Sequence, residues 1–216
     1  MSAELEIQSP PASWPFADGA EQMSAYVRWL AGPGVERGLI GPRETARIWE
    51  RHILNCAVVE TAVPRGSVVV DVGSGAGLPG IVLALVRPDL VVHLVEPMGR
   101  RSQFLTEVVE DLGVDARIVV HRGRAQDVVG EVVGDVVTAR ALVSLDRLVP
   151  MCVPLMRRGG QILAVKGARA AAEVEAARRV LARHGFGDPE IVRCGEGIVS
   201  PPTTLVRLIR RPEPVN

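Results

Sequence analysis

The sequence predicts an α/β fold with a mostly parallel, seven-stranded sheet and helices on both faces. Short apolar runs alternate with helical segments from about residue 63 onward, and this alternation is typical of parallel sheets built from strand–helix–strand units. The last two apolar runs lack a helix between them, so we expect an antiparallel edge strand. The 216 residues fit a single domain.

Seven short runs rich in Val, Ile and Leu are the predicted strands. Apolar residues make up 47% of the chain and aromatic residues only 3%, so aliphatic side chains should build the core. The predicted strands span residues 67–72, 91–95, 118–120, 136–138, 162–165, 190–193 and 204–209. The predicted helices span residues 18–30, 42–62, 98–112, 145–156 and 170–184, with a further helical stretch that ends at residue 86.

The chain before the first strand differs from the rest. Several prolines and no periodicity predict a mobile tail, and two helices should follow it as an extension of the core. Trp49, Ile53 and Ala57 recur every four residues, so the second helix should bury this face. The sequence divides into a tail (1–17), a helical extension (18–62) and a core (63–211).

Charge and cysteine content exclude several classes of protein. The 25 basic and 25 acidic residues balance, which argues against nonspecific polyanion binding but not against a local basic face. Glu4 and Glu6 stand where a secretory leader would be basic, and no apolar run is long enough to span a membrane. We therefore expect a cytoplasmic protein without membrane contacts. Cys56, Cys152 and Cys194 lie too far apart for a disulfide or metal motif, so we expect buried thiols and no metal.

A glycine-rich loop between the first strand and the next helix is the strongest sign of a ligand site. Gly73, Gly75 and Gly77 allow a sharp turn and a close approach of the backbone to a ligand. Glu96 ends the following strand, where a carboxylate can accept both hydroxyls of a ribose. Dinucleotides and S-adenosylmethionine both fit this pattern, so these residues leave both cofactors open.

Asp71, at the end of the first strand, favours one of the two cofactors. A carboxylate against the loop would repel a pyrophosphate. S-adenosylmethionine has no phosphate, and its sulfonium and ammonium groups would be attracted to a carboxylate. We therefore predict S-adenosylmethionine as the cofactor and S-adenosylhomocysteine as the product. A NAD-dependent oxidoreductase is the alternative from another class.

Four motifs in chain order resemble the small-subunit rRNA methyltransferase G family, once called glucose-inhibited division protein B. They are Asp71–Gly80 with its Leu-Pro-Gly ending, Arg51–Asn55, Arg140-Ala141 and Val165–Gly167. The resemblance implies a class I S-adenosylmethionine-dependent methyltransferase with a Rossmann-like sheet. It also implies methyl transfer to N7 of one guanine in a loop of 16S rRNA near the decoding site.

The resemblance implies further cofactor contacts on this chain. The chain departs from the family pattern at Gly38–Pro42, where many members have Asn-Leu-Thr, and at Gln126, where an acid is common. The expected cofactor-binding residues are Asp71, Gly73, Gly75, Gly77, Leu78, Glu96, Ala125, Gln126 and Arg140.

Transfer to guanine N7 needs no general base, because this nitrogen already has a free lone pair. Thr138–Ala141 stands where methyltransferases of exocyclic amines carry an Asn-Pro-Pro-Tyr type motif. Alignment of the base should then dominate catalysis, and we expect Arg140, Lys166 and His52 to provide it.

Arg43, Arg47 and Arg51 recur every four residues and should form one basic stripe. A solvated helix face paired with Glu44 and Glu50 is the other interpretation of this stripe. The expected RNA-binding residues are Arg43, Arg47, Arg51, His52, Arg101 and Lys166.

The expected partner is 16S rRNA, within the small ribosomal subunit or an assembly intermediate, and the expected state is a monomer. Three other functions stay open from the residues alone. They are methylation of another RNA site, a protein or a small molecule; NAD-dependent oxidation; and RNA binding without catalysis.

Overall fold

The computed structural model describes Trp14, Phe16 and residues 19–210. Seven strands form one sheet in the order β3-β2-β1-β4-β5-β7-β6, and β1 to β5 are parallel. The predicted fold class, a mostly parallel seven-stranded sheet, is confirmed. The strands are β1 (Val68–Val72), β2 (Val91–Glu96), β3 (Ile118–Arg122), β4 (Gly134–Arg140), β5 (Met156–Lys166), β6 (Glu190–Cys194) and β7 (Thr203–Ile209).

The antiparallel strand is not at the edge, which corrects the prediction of an antiparallel edge strand. β7 pairs antiparallel with both β5 and β6, so it lies inside the sheet and β6 is the edge strand. A long helical crossover precedes β6 and leaves one strand position free beside β5. The direct connection from β6 then folds β7 back into that position.

Helices cover both faces of the sheet. α1, α4 and α5 share one buried apolar cluster with the sheet, and α6 and α7 pack on the opposite face. Every residue of α4 is buried, because the helical extension covers the side that faces away from the sheet. The α-helices are α1 (Ala20–Ala31), α2 (Pro33–Glu36), α3 (Asn55–Ala57), α4 (Gly80–Val86), α5 (Gly99–Asp111), α6 (Leu145–Cys152) and α7 (Ala170–Arg183).

The second predicted helix is irregular, so the expectation of one continuous α-helix over residues 42–62 is wrong. It buries Trp49, Ile53 and Ala57 as predicted. Its turns change from 3₁₀ to π and back, and this change breaks the four-residue spacing of the arginine stripe. The segments are a 3₁₀ turn (Pro42–Arg47), a π turn (Trp49–Leu54), α3 and a second 3₁₀ turn (Val58–Ala62).

Contacts of Asn55 explain the wide turn. Its Nδ2 donates to the carbonyl oxygens of Glu50 and Arg51, both at 3.1 Å. The Thr203 hydroxyl, at the start of β7, lies 3.0 Å from the Asn55 carbonyl oxygen and 2.9 Å from its Oδ1. A side chain that satisfies turn carbonyls allows the backbone to depart from α geometry. A contact with a strand some 150 positions later cannot be anticipated from local spacing.

Two residues of the predicted tail are described, and both pack against the extension. The rings of Trp14 and Trp49 are 5.5 Å apart, and Phe16 lies beside Trp14. The rest of the predicted tail and the last residues, 211–216, lie outside the described residues. Within the described part of the chain, no helix combines the length and the apolar character that a bilayer span requires.

Candidate active site

The predicted site residues meet at the carboxyl edge of the parallel strands. β1 lies between β2 and β4, so the chain connections reverse direction between β1 and β4. Open α/β sheets bind ligands outside the strand ends at such a reversal. The glycine loop after β1, Glu96 at the end of β2 and Arg140 at the end of β4 all lie at this edge.

The glycine loop needs glycine for two different reasons. Gly73, Gly75 and Gly77 have φ angles of 71°, 59° and 98°, which side chains rarely tolerate. At Gly80 the reason is space, since a Cβ would lie 2.4 Å from Leu94 Cδ2 and 2.7 Å from Asp71 Oδ2. The loop therefore presents bare backbone toward the strand ends.

Asp71 lies completely buried under this loop. Its Oδ2 accepts a hydrogen bond from the Gly80 amide at 3.1 Å, while its Oδ1 has no partner among the described residues. Burial raises the pKa of Asp71 to about 7, and the Gly80 hydrogen bond, the Ser74 hydroxyl and the charge of Arg140 lower it in part. A buried carboxylate with a free oxygen is costly, and a cation beside it would lower the cost.

Glu96 fixes the opposite side of the loop. Its Oε2 accepts from the Gly75 amide and its Oε1 from the Met98 amide, each at 2.9 Å. The side chain is almost fully buried, yet each carboxylate oxygen has a second lone pair. Glu96 thus holds the loop in place and can still accept hydrogen bonds from a ribose.

The remaining predicted cofactor contacts lie around the same edge. Leu78 is half-buried within the loop, Ala125 is buried, and Gln126 is exposed in a 3₁₀ turn that follows β3. Their places are compatible with an adenine beyond β3, and their contacts with a cofactor stay predictions. Arg101, a predicted RNA contact, is half-buried in the first turn of α5, close in sequence to Glu96.

Arg140 connects the sheet to the helical extension. Its Nη1 donates to Cys56 Sγ at 3.2 Å, and its Nη2 lies 3.1 Å from His52 Nδ1. Arg140 can only donate, so His52 Nδ1 accepts and Nε2 carries the hydrogen toward Glu44 Oε2, at 3.1 Å. Burial and the charge of Arg140 lower the pKa of His52. His52 is therefore neutral at physiological pH and holds Arg140 in one orientation.

Glu44 organises this cluster and was not predicted as a site residue. One carboxylate oxygen accepts from His52 and the other pairs with Arg51 at 3.0 Å. From the sequence, Glu44 was expected only as an ion-pair partner of the arginines on a solvated helix face. The irregular turns of the extension bring Glu44 beside residues seven and eight positions later, and a regular helix would not pair all three.

Lys166 occupies a different environment from the one expected of a phosphate ligand. Its side chain is only 8% exposed, and Nζ lies 2.8 Å from Glu173 Oε2 and donates to the Val143 carbonyl at 2.7 Å. Glu173 also accepts from the Leu145 amide. Lys166 therefore fixes the loop after β4, and its predicted contact with guanine or phosphate would use its remaining N–H.

That loop packs directly on the glycine loop. A Cβ at Gly73 would lie 2.7 Å from Leu142 Cδ1, so only glycine leaves room for the Leu142 side chain. Ala141 has a φ of 51°, which is uncommon for a residue with a side chain. Residues 141–144 thus form a short ledge between the glycine loop and Lys166.

The described cysteine thiols are not activated. All three cysteines are free and buried, as predicted. Burial raises the pKa of Cys56, the thiol beside Arg140, and raises the pKa of Cys152 to about 12, so both thiols are protonated. Among residues 19–210, no three or more His, Cys, Asp or Glu side chains come together in a way that could hold a metal ion.

Tyr26 supports the glycine loop from α1 and was not predicted as a site residue. It is the only tyrosine of the chain and is fully buried in α1. Its hydroxyl donates to the Ala76 carbonyl at 2.7 Å, and a Cβ at Gly77 would lie 2.9 Å from that oxygen. A lone tyrosine on the apolar face of a helix was the available signal, because buried tyrosines usually donate to a partner.

Replacement of Tyr26 by phenylalanine should destabilise the protein by about 1–3 kcal/mol, because the buried Ala76 carbonyl loses its donor. Urea unfolding would measure the change. Ser24→Ala is the matched control, since it removes a hydroxyl of α1 that bonds only within the helix. Equal stability of Tyr26→Phe and wild type would show that the hydrogen bond does not support the loop.

Comparison with known proteins decides between the cofactors that the glycines left open. The profile of the family described as rRNA small subunit methyltransferase G matches residues 19–200. The chain belongs to this family. The ribosomal RNA small subunit methyltransferase G of Salinispora arenicola is 50% identical, over 97% of this chain and 91% of its own length. Its counterpart in Mycobacterium sp. strain KMS is 53% identical, over 96% and 92%.

Solved structures agree with the observed fold. An S-adenosylmethionine-dependent O-methyltransferase from Thermotoga maritima superposes with a TM-score of 0.60 at 14% identity, over 80% of this chain and 72% of its own. The tRNA methyltransferase TrmK of B. subtilis gives 0.55 at 17% identity, over 76% and 67%. These distant likenesses show that the chain shares its fold with both proteins. The family match removes the basis for the dehydrogenase alternative.

Proposed function

We propose that this chain transfers the methyl group of S-adenosylmethionine to N7 of a guanine in 16S rRNA. The observation that carries the proposal is the buried carboxylate of Asp71, with one unpartnered oxygen, directly under the glycine loop. Such a group suits a cationic ligand and opposes a pyrophosphate. Membership of the rRNA methyltransferase G family supports the RNA substrate.

The cofactor-binding residues fit S-adenosylmethionine by charge and shape. The bare backbone of the glycine loop permits close approach, and Glu96 faces the ribose position from the end of β2. Asp71 would attract the cationic end of the cofactor, and Ala125 and Gln126 would border the adenine. When bound, the cofactor would supply a methyl group activated by a positively charged sulfonium, with the neutral thioether as the leaving group.

The reaction requires no general base from the protein. Guanine N7 would accept the methyl group through its own lone pair, so no residue has to remove a proton. The residues must therefore hold the guanine in line with the methyl donor. Arg140 can donate to guanine O6 or to the adjacent phosphate, and His52 fixes its orientation from the extension. Lys166 contributes by holding the ledge at residues 141–144.

The substrate would be 16S rRNA, alone or within the small ribosomal subunit. The target base must be unpaired or leave its stack to reach the strand ends, and RNA loops satisfy this condition. We propose action in the cytoplasm as a monomer, without a metal ion. The ledge leaves the edge open, which disfavours a small molecule that needs an enclosed pocket.

The test is incubation of the protein with small ribosomal subunits and methyl-labelled S-adenosylmethionine, followed by mass spectrometry of nuclease fragments. We expect 7-methylguanine at one position of 16S rRNA. Label that appears only in another RNA, in protein or in a small molecule would support the alternative methyltransferase functions. A protein that binds the cofactor but transfers no label would contradict the proposal.

A further inference from the structure

A second part of the chain faces the basic residues of the extension across a groove. The groove has a volume of about 760 Å³ and crosses the end of β5. Arg47 and Arg51 stand on one side of it, and Arg193 and the loop 195–202 between β6 and β7 stand on the other. No sequence motif pointed to this loop, and the methyl-transfer chemistry above does not use it.

Cations outnumber acids in the lining of the groove. Arg193 is 57% exposed, and Glu196 is 3.9 Å away, which leaves the guanidinium largely available to a ligand. Arg51 and Lys166 are already paired, with Glu44 and Glu173 respectively, so the excess positive charge comes from the other three cations. Such an excess in a chain with no net charge favours a polyanion. The lining includes five cations, Arg47, Arg51, Arg140, Lys166 and Arg193, and one acid, Glu50.

The wall formed by the β6–β7 loop is anchored to the extension. A Cβ at Gly195 would lie 2.6 Å from Val58 Cγ1, and Val199 is buried in the apolar cluster that includes Val58. The Thr203 hydroxyl bonds to Asn55, the residue directly after the π turn that carries Arg51. Because both walls share these contacts, the width of the groove is set before a ligand binds.

This side of the groove combines an apolar side chain on the loop with a basic side chain on β6. Ile198 is 41% exposed although its neighbour Val199 is buried, and it lines the groove together with Arg193. Single-stranded RNA offers phosphates to cations and unstacked base faces to apolar side chains. A duplex would offer only its backbone and would leave Ile198 without a partner.

We propose that the β6–β7 loop is a second RNA-binding wall, which holds the single strand next to the target guanine. Arg193 takes a phosphate of this strand and Ile198 packs on a base, while Arg47 and Arg51 contact the backbone from the opposite side. The proposal rests on the proposed RNA substrate. It adds a binding element that the motifs of the extension do not include.

Arg193→Glu tests the charged part of this wall, with full-length 16S rRNA transcript as the probe. We expect affinity about tenfold weaker at low salt, and a slope of log Kd against log salt that is smaller by about one. The KM for RNA should rise while affinity for S-adenosylmethionine, measured without RNA, stays at the wild-type value. Arg193→Lys should restore most of the RNA affinity.

Arg65→Glu is the matched control, since Arg65 is exposed in the turn before β1, at the opposite end of the strands. It makes the same change of net charge and should leave RNA affinity nearly unchanged. Equal loss in both variants, or no loss in Arg193→Glu, would overturn the proposal. A wild-type protein that methylates no 16S rRNA would instead refute the proposed function, so the two failures are distinguishable.

Ile198→Ser separates the apolar contribution from the charge. The side chain is exposed and its loss should not affect folding. We expect weaker binding of the same 16S rRNA transcript with an unchanged salt slope, because no ionic contact is removed. Unchanged affinity would restrict the wall to a phosphate contact and contradict the predicted packing on a base.

Discussion

Replacement of Arg140 by alanine should lower the rate of methyl transfer by about 100-fold or more, with saturating cofactor and RNA. Loss of one preorganised donor to a reacting group typically has an effect of this size. Arg140 contacts the neutral acceptors Cys56 and His52, and no carboxylate within residues 19–210 forms an ion pair with it. Its charge is therefore available to the guanine or its phosphate.

Single-turnover kinetics would measure the loss, since they separate chemistry from product release. Arg140→Lys should be intermediate, because a lysine keeps the charge but cannot contact Cys56 and His52 together. Arg65→Ala serves as the control for loss of an exposed arginine at the other end of the sheet. Near-normal turnover of Arg140→Ala would remove this residue from the mechanism.

Asp71→Asn should stabilise the cofactor-free protein while it weakens cofactor binding. Burial raises the pKa of Asp71 from 3.8 to about 7, so the folded protein holds a proton that the unfolded chain releases between these values. Stability therefore falls as pH rises from about 4 to 7 and is lowest above 7. Removal of this ionisation should add up to about 4 kcal/mol to the free energy of unfolding at pH 8.

The same variant loses the negative charge that we propose attracts the cofactor. Contacts with charged groups contribute about 1.5–3 kcal/mol, so affinity for S-adenosylmethionine should fall about tenfold or more. Urea unfolding at pH 5 and pH 8 and calorimetric titration would measure both effects. A stability gain that is the same at the two pH values would show that ionisation of Asp71 is not its source.

The core of the fold could be predicted because its signals are local. Each central strand contains a short apolar run, as expected where both faces are buried. The glycine loop and Asp71 follow β1 directly, so their order in the chain already placed them at one strand end. Arg140, at the end of β4, was found for the same reason.

The parts that were missed depend on contacts between distant segments. The π turn of the extension is stabilised by Asn55 and Thr203, and Glu44 reaches His52 only because of that turn. Arg193 lies near the end of β6, which the sequence predicted only as one strand of a terminal antiparallel pair. The groove forms only because β7 lies beside β5. Lys166 was recognised by its motif, but its partner Glu173 comes from the following helix.

Because α4 is completely buried, we expect that the extension and the core cannot be separated. α4 begins at Gly80, so the last residue of the glycine loop is also the first residue of a helix covered by both the sheet and the extension. We expect that residues 63–211 do not fold as an independent cooperative unit. Loss of α1 would expose α4, and the loop above Asp71 would unfold with it. Extension and core should melt together in a single transition, and neither could be grafted onto a relative as a module.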